Sequence, residues 1–265
     1  MADSGAHGEI VVTGLAITPV KGTRLRLVER VELGVEGVRE NRRFYVIDAR
    51  DRMLNAKVLG DLQTVVADYD DAGRQLTLTF PDGGMAAAEV RLGEEVRTRF
   101  FSRHLTGRVL EGPWSEALSA HVGQPLRLVE PVDGGAVDRG RGGAVSLISR
   151  ASLGRLAAQA GEDQIDPRRF RMLIEIDGVP AHHEDRWVGT TARVGSARVA
   201  WGGHVGRCLI TSRHPETAKI DLPTLDLLGD YRGDMDSTEP LPFGIYGAVL
   251  EPGTVAIGDG LTPER

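Results

Sequence analysis

Residues 65–80, VVADYDDAGRQLTLTF, decide the fold class of this 265-residue chain. Two short runs, Val65–Tyr69 and Gln75–Phe80, alternate apolar and polar residues and flank the turn sequence Asp-Asp-Ala-Gly. Alternation with a period of two is typical of a half-buried strand, and Gly73 supplies a positive φ where a tight turn needs it. The stretch therefore predicts a β-hairpin.

The rest of the first hundred residues follows the same pattern. We expect strands over residues 9–20, 24–33 and 43–48. A second hairpin is predicted in which residues 88–92 and 96–101 flank Gly93-Glu94-Glu95. Strands this short and evenly spaced favour a barrel or a sandwich.

The later part of the chain adds a few short helices. Residues 115–122 and 149–160 predict helices with Ser115 and Ser152 as N-caps, and residues 222–231 predict a third. Further strands are expected over residues 170–176, 192–201, 245–249 and 254–257, and the glycine-rich residues 131–143 predict a loop. The predicted class is mostly β with a few short helices (α+β).

Composition narrows the kind of protein. A net charge of −6 disfavours a nucleic-acid binder, because phosphate backbones need concentrated positive charge. No stretch approaches the roughly 20 apolar residues of a membrane-spanning helix, and the polar start MADSGAHGE does not resemble a signal peptide. We expect a cytoplasmic protein that binds neither nucleic acid nor membrane.

Cys208 is the chain's one cysteine. A disulfide within the chain, an iron–sulfur cluster and a Cys-rich zinc site all need more sulfurs. Cys208 is therefore a buried small hydrophobe, a reactive thiol, or one thiolate ligand to a metal held mainly by other groups. Arg207 and His204 lie close in sequence and could stabilise a thiolate.

Cations recur where predicted strands begin or end. Lys21 follows one strand, Arg42-Arg43 opens another, and Arg168-Arg169-Phe-Arg171 opens a third. Arginine and lysine suit a phosphate, but solvated strand ends with ion pairs fit the same pattern. The run His182-His183-Glu184-Asp185 is a weak metal motif, and we expect a solvated loop there.

Together these segments resemble proteins of the MOSC-domain family that carry an N-terminal MOSC β-barrel, such as the mitochondrial amidoxime-reducing component and its bacterial relatives. The resemblance runs from about residue 9 to residue 263. It rests on the order and spacing of these motifs: Thr18-Pro-Val-Lys21, Asn41-Arg42-Arg-Phe44, Asn55-Ala-Lys57, Leu147-Ile-Ser149-Arg150-Ala-Ser152-Leu153, Arg169-Phe170-Arg171, Trp187 through Gly195, Arg207-Cys208, Phe243-Gly244-x-Tyr246 and Pro252-Gly253 through Gly258-Asp259.

The resemblance implies an N-terminal β-barrel-like domain over residues 9–105 and a MOSC β-barrel domain over residues 106–263. It implies a molybdenum cofactor (molybdopterin) whose metal takes Cys208 as ligand, in an enzyme that reduces a small N-hydroxylated substrate with electrons from a separate donor protein. The implied catalytic residues are Cys208, Arg207, His204 and Arg150, and the implied cofactor-binding residues are Lys21, Arg42, Lys57, Ser149, Ser152 and Arg171.

Three positions depart from the family pattern. Lys57 replaces an Arg, Arg150 replaces an Asp, and Leu173 replaces an Asn. These changes keep other functions open. One is a sulfur transferase that carries a persulfide on Cys208. Others are a scaffold that binds a different cofactor, such as a heme ligated by His204 or Cys208, and a non-catalytic binding module.

Overall fold

The computed structural model describes residues 9–100, 103–132, 140–237 and 239–264. The polar start of the chain up to residue 8 and most of the predicted loop 131–143 lie outside these ranges. Within them the protein is mostly β, with a few short helices, as the sequence predicts.

The described residues form eighteen strands and three α-helices. The strands β1 to β18 are, in order, Val11–Ile17, Arg26–Val28, Arg30–Leu33, Tyr45–Ile47, Met53–Leu54, Val66–Asp70, Gln75–Thr79, Met85–Glu89, Arg91–Phe100, Arg103–Glu111, Arg127–Pro131, Val145–Ser149, Ile174–Asp177, Thr191–Val194, Ala197–Gly206, Pro242–Glu251, Gly253–Ala256 and Leu261–Glu264. The helices α1 to α3 are Trp114–Val122, Arg150–Ala160 and Thr224–Arg232.

The largest sheet has eight strands in the order β18-β14-β15-β16-β12-β13-β1-β2. The N-terminal strand β1 pairs antiparallel with β13, so the start of the chain is built into a sheet of the second half. Its inner face packs Leu147, Ile174 and Trp201, all nearly inaccessible to solvent. Burying a side chain of this size stabilises the fold by about 1.5–3 kcal/mol.

The other strands form three smaller sheets: β5-β4-β11-β10-β9, β6-β7-β8 and β17-β3. The predicted hairpin over residues 65–80 is confirmed as the antiparallel pair β6–β7. These sheets enclose a second core around Phe44, Leu62 and Trp114, where the indole Nε1 of Trp114 donates a 3.0 Å hydrogen bond to the carbonyl of Leu76.

The predicted hairpin at Gly93-Glu94-Glu95 is wrong. Residues 91–100 form one continuous strand, β9, that pairs with β10 along its length. Opposite charges face each other across this pair, Glu95 opposite Arg108 and Arg91 opposite Glu111, which favours the long pairing over a turn. The predicted domain boundary at 105/106 falls inside β10 and stays a prediction.

Two predicted helix caps are also wrong, although the helices are present. Pro113 precedes α1, and the hydroxyl of Ser115 instead accepts a hydrogen bond from the Leu128 N–H. In α2 the cap is Ser149, whose Oγ accepts from the Ser152 N–H at 3.1 Å. No helix among the described residues is long and apolar enough to cross a membrane.

Candidate functional site

A cavity of about 730 Å³ opens where segments of the first and second halves of the chain meet. Residues 21, 22, 42, 55 and 57 line it from the first half. The second half contributes 143, 146, 170–172, 205, 206, 208, 210, 239 and 246. Five of the ten residues predicted for the site are among them: Lys21, Arg42, Lys57, Arg171 and Cys208.

Cys208 lies just beyond the end of β15, in extended backbone that leads into the 3₁₀ turn Leu209–Ser212. Its carbonyl accepts hydrogen bonds from both the N–H and the hydroxyl of Thr211, each at 3.0 Å. These bonds fix the backbone on which the thiol is mounted. The side chain is partly exposed in the cavity, so the expectation of a buried core cysteine is not met.

Arg42 and Arg171 form a connected pair on the cavity wall. Arg42 Nη2 donates to the carbonyl of Arg171 at 2.6 Å, and Arg171 Nη2 donates to the carbonyl of Thr23 at 2.8 Å. Both residues have left-handed backbone, with φ of 53° and 56°, a conformation that costs a non-glycine residue about 1 kcal/mol or more. Burial lowers the pKa of Arg42 to about 10 and, with the nearby Arg42 charge, that of Arg171 to about 9.

Lys21 brings a third cation to the same wall. Its backbone N–H donates to the carbonyl of Phe44 at 2.8 Å, which holds it beside the first strand of the five-stranded sheet. Burial lowers the pKa of Lys21 well below its ordinary value, the charges of Arg42 and Arg171 lower it further, and Cys208 acts in the opposite direction. The thiol and the amine are therefore electrostatic neighbours.

The other cations of the predicted clusters form ion pairs away from the cavity. Arg43 Nη2 lies 2.6 Å from Glu130, and Arg168 is bound by Asp166. Arg169 makes a two-pronged contact with Asp221 at 2.7 and 2.9 Å. Because neighbouring residues point in different directions, each sequence cluster contributes only one arginine to the cavity.

Arg207, predicted to be catalytic, lies beneath the cavity wall. Its buried guanidinium donates from Nε to the carbonyl of Phe243 and from Nη1 to that of Phe170, both at 2.8 Å, and from Nη2 to the sulfur of Met172 at 3.1 Å. These contacts join β16 to the corner that carries Arg171. In this structure Arg207 positions the wall of the site.

His204 and Arg150 do not line the cavity. The imidazole Nε2 of His204 lies 3.6 Å from Asp185, which leaves a heme ligand at His204 without structural support. Arg150 is exposed at the start of α2, and its Nε donates to Glu175 at 2.6 Å. The prediction that these two residues act beside Cys208 is corrected for this reason.

Ser149 and Ser152 are fully buried, and both bind Glu184. Glu184 accepts hydrogen bonds from the Ser149 N–H, the Ser149 hydroxyl and the Ser152 hydroxyl at 3.2, 3.0 and 2.7 Å. Burial raises the pKa of Glu184 against these bonds. The two serines therefore hold the end of α2, and the expected solvated loop at residues 182–185 contains a buried carboxylate instead.

Of the three departures from the family pattern, only Lys57 lies in the cavity, where its side chain is exposed and its backbone N–H donates to Asn55 Oδ1 at 2.9 Å. Leu173 belongs to the core of the eight-stranded sheet. Arg150 lies at the surface, so the changed residues do not form one altered pocket.

Sequence reasoning missed Glu239, the one carboxylate among the described cavity residues. Its Oε2 packs over Gly206, where an added Cβ would lie 2.8 Å from it. No periodicity or motif marks residues 233–242, so no pattern indicated this residue. Tyr246, which also lines the cavity, stood in a quoted motif but carried no predicted role.

The described residues contain no group of three or more His, Cys, Asp or Glu side chains that could hold a metal ion. A metal beside Cys208 would therefore have to arrive with ligands of its own. The cavity offers one thiol, four cations and one carboxylate, a set suited to an anionic group that already carries its metal.

Comparison with known proteins places these features in a family. The MOSC N-terminal beta barrel domain matches residues 9–125, and the MOSC domain matches residues 134–262. No curated protein matches the chain. Among solved structures, the YuaD protein of Bacillus subtilis is 12% identical, with 97% of this chain and 96% of that chain covered and a TM-score of 0.45.

YiiM from Geobacillus stearothermophilus is 15% identical over 66% of this chain and 73% of its own, with a TM-score of 0.36. YiiM from Escherichia coli is 16% identical over 47% and 56%, with a TM-score of 0.34. The two family matches together span nearly the whole sequence. The chain belongs to the MOSC-domain family and consists of a MOSC N-terminal β-barrel domain followed by a MOSC domain.

Proposed function

We propose that this protein is a molybdenum-cofactor-dependent oxidoreductase that reduces a small N-hydroxylated substrate, with Cys208 as the protein ligand to the metal. The observation that carries the proposal is the partly exposed thiol of the chain's one cysteine in a cavity lined by Lys21, Arg42, Lys57 and Arg171. Members of this family are commonly molybdenum-cofactor-binding enzymes or their relatives.

The residues present fit this cofactor chemically. A pterin dithiolene brings two sulfurs to its metal, so one cysteine suffices as protein ligand. Its phosphate needs cations, and Arg42 and Arg171 provide two guanidinium groups that burial makes expensive to leave without an anion. Phe170 and Tyr246 add aromatic surface for the flat part of such a group.

When bound, the cofactor supplies the two-electron chemistry that removes oxygen from nitrogen. Reduction of an N-hydroxyl compound to the amine consumes two electrons and two protons and releases one water. Lys21 favours the thiolate form of Cys208 by its charge, and Arg207 holds the wall against which Arg171 is fixed. Glu239 is the cavity carboxylate that can hold a proton at Oε1 or Oε2 for the leaving oxygen.

The test is expression of Cys208→Ala and wild type in a host that makes the cofactor. We expect one molybdenum and one pterin per wild-type chain, and reduction of an amidoxime by the wild type with a reduced viologen dye as electron donor. Cys208→Ala should lose this activity while its circular dichroism spectrum stays native. Ile210→Val, a conservative change in the same cavity, is the matched control and should stay active. A fully active Cys208→Ala contradicts the proposal.

The same surroundings favour a second candidate, a sulfur transferase with a persulfide on Cys208. A persulfide is an anion, and Lys21, Arg42 and Arg171 would stabilise it as they would a thiolate. Metal-free protein whose Cys208 peptide carries one extra sulfur by mass spectrometry would support this candidate. Full activity of Cys208→Ala would exclude both.

A further inference from the structure

The outer face of the five-stranded sheet carries a group of unneutralised arginines. In β9, Val96, Thr98 and Phe100 point into the core, so Arg97 and Arg99 point to solvent. In the neighbouring strand β10, residues 103, 104, 106 and 108 are also exposed. We call Arg97, Arg99, Arg103, His104 and Arg108 the β9–β10 basic surface.

This surface differs from the other arginine-rich strands of the molecule. On β14 and β15, Arg193 and Arg198 each pair with Glu251 and Glu264 at 2.7–3.6 Å. In the part of the chain that the structure describes, no carboxylate forms an ion pair with Arg97 or Arg99.

His104 lies directly opposite Arg99, and Arg52 forms a bridge with Arg99 from the other side. Like charges directly opposite each other in a sheet destabilise it. The chain as a whole carries a charge of −6, so this concentration of positive charge runs against its composition. A surface that costs stability in this way is suited to an anionic partner.

The basic surface reaches the wall of the cavity. The guanidinium of Arg103 lies 5.4 Å from the ring centre of Phe100, and the amine of Lys21 lies 5.8 Å from the same centre. Lys21 lines the cavity that contains Cys208. The charge of Arg103 also contributes to the lowered pKa of Lys21, which agrees with this proximity.

We propose that the β9–β10 basic surface is the docking site of an acidic redox protein that delivers electrons to the cavity. The inference rests on the proposed function, because only a reductase without its own redox cluster needs such a donor. None of the large apolar side chains that are strongly exposed lies on β9 or β10, as expected for a brief encounter complex held by charge. The overall negative charge and the lack of exposed aromatic side chains on these strands disfavour a nucleic acid.

Titration calorimetry of the full chain with an acidic plant-type [2Fe–2S] ferredoxin tests the proposal. We expect binding that weakens about tenfold or more between roughly 20 and 200 mM salt, since salt screens charge pairs at a surface. Arg97→Glu/Arg99→Glu should bind about tenfold more weakly than wild type at the lower salt concentration. The control Arg186→Glu/Lys219→Glu makes the same change in net charge at exposed positions elsewhere and should bind like wild type.

Three outcomes overturn the docking proposal: no binding of the ferredoxin by wild type, equal binding by Arg97→Glu/Arg99→Glu, or equally tight binding of a DNA oligonucleotide. A kinetic readout separates this proposal from the proposed function. The Arg97→Glu/Arg99→Glu variant should keep wild-type activity with a reduced viologen, which needs no docking site, and lose activity with the ferredoxin. If wild type contains no molybdenum, the proposed function fails while the calorimetry still decides whether an acidic protein docks here.

Discussion

Replacement of Lys21 by methionine should stabilise the protein and weaken its response to phosphate. Lys21 lies among Arg42, Arg171 and Cys208, and burial together with the two guanidinium charges holds its pKa well below the ordinary value. Removing a buried cation from like-charged neighbours relieves desolvation and repulsion. Because the cavity opens to solvent, we expect a gain of about 1–3 kcal/mol in the free energy of unfolding.

The pH dependence of this gain has a definite sign. A lysine whose folded-state pKa is lowered costs stability at neutral pH, and the cost disappears as the pH rises through the folded pKa toward the ordinary value of 10.5. The stability difference between Lys21→Met and wild type should therefore shrink with rising pH. Denaturant titrations at several pH values measure it, and each kcal/mol corresponds to about 2–4 °C in Tm.

Pyrophosphate provides the functional readout. An anion that binds only the folded protein raises its stability by about 2.7 kcal/mol at a concentration one hundred times its Kd. We expect a clear rise of Tm in wild type and less than half of that rise in Lys21→Met. The control is Lys219→Met, an exposed lysine far along the chain from the cavity residues. If Lys21→Met is no more stable than wild type and responds equally to pyrophosphate, the account of a strained cationic anion site is refuted.

Three other substitutions test separate parts of the structure. Glu184→Gln should remove a pH dependence: since burial raises the pKa of Glu184, wild type loses stability as the pH rises above 4.5 through the folded pKa, whereas the variant should stay flat in denaturant titrations across that range. Arg207→Leu should destabilise the protein by about 3–5 kcal/mol in the same assay, because buried carbonyls lose their donors. Its comparison is Arg150→Ala, an exposed ion pair that should cost no more than about 1 kcal/mol, and equal effects of the two would contradict the roles assigned here. Gly206→Ala should displace the Glu239 carboxylate, since the new Cβ would lie 2.8 Å from Oε2; amidoxime reduction should fall at least about tenfold with the cofactor content unchanged, and unchanged turnover would exclude Glu239 from the reaction.

Much of the fold could be predicted because it depends on local pattern. The hairpin at residues 65–80 and the hairpin around Gly195-Ser196 each combine alternation with a turn residue, and both are present. The error at Gly93-Glu94-Glu95 arose because a turn-like sequence was stabilised by charge pairing with β10, a strand ten or more residues away. Local pattern contains no information about such a partner.

The site was harder to predict than the fold for a physical reason. Side-chain direction decides which member of a cation pair reaches the cavity, and it depends on backbone such as the left-handed φ of Arg42 and Arg171. Sequence alone could not separate Arg171 from the ion-paired Arg169, nor place Ser149 and Ser152 around Glu184. Cys208 could be singled out because a lone cysteine in a family motif leaves few roles, whereas Glu239 stands in a stretch without any pattern.

The central claim is that the thiol of Cys208 binds molybdenum in the cationic cavity. X-ray absorption at the molybdenum edge tests it most directly, because it counts sulfur ligands at the metal independently of any substrate or donor. For protein expressed in a cofactor-competent host, we predict that wild type shows one more sulfur ligand per molybdenum than Cys208→Ala. Absence of molybdenum from the wild-type protein, or the same sulfur count in both proteins, would contradict the claim.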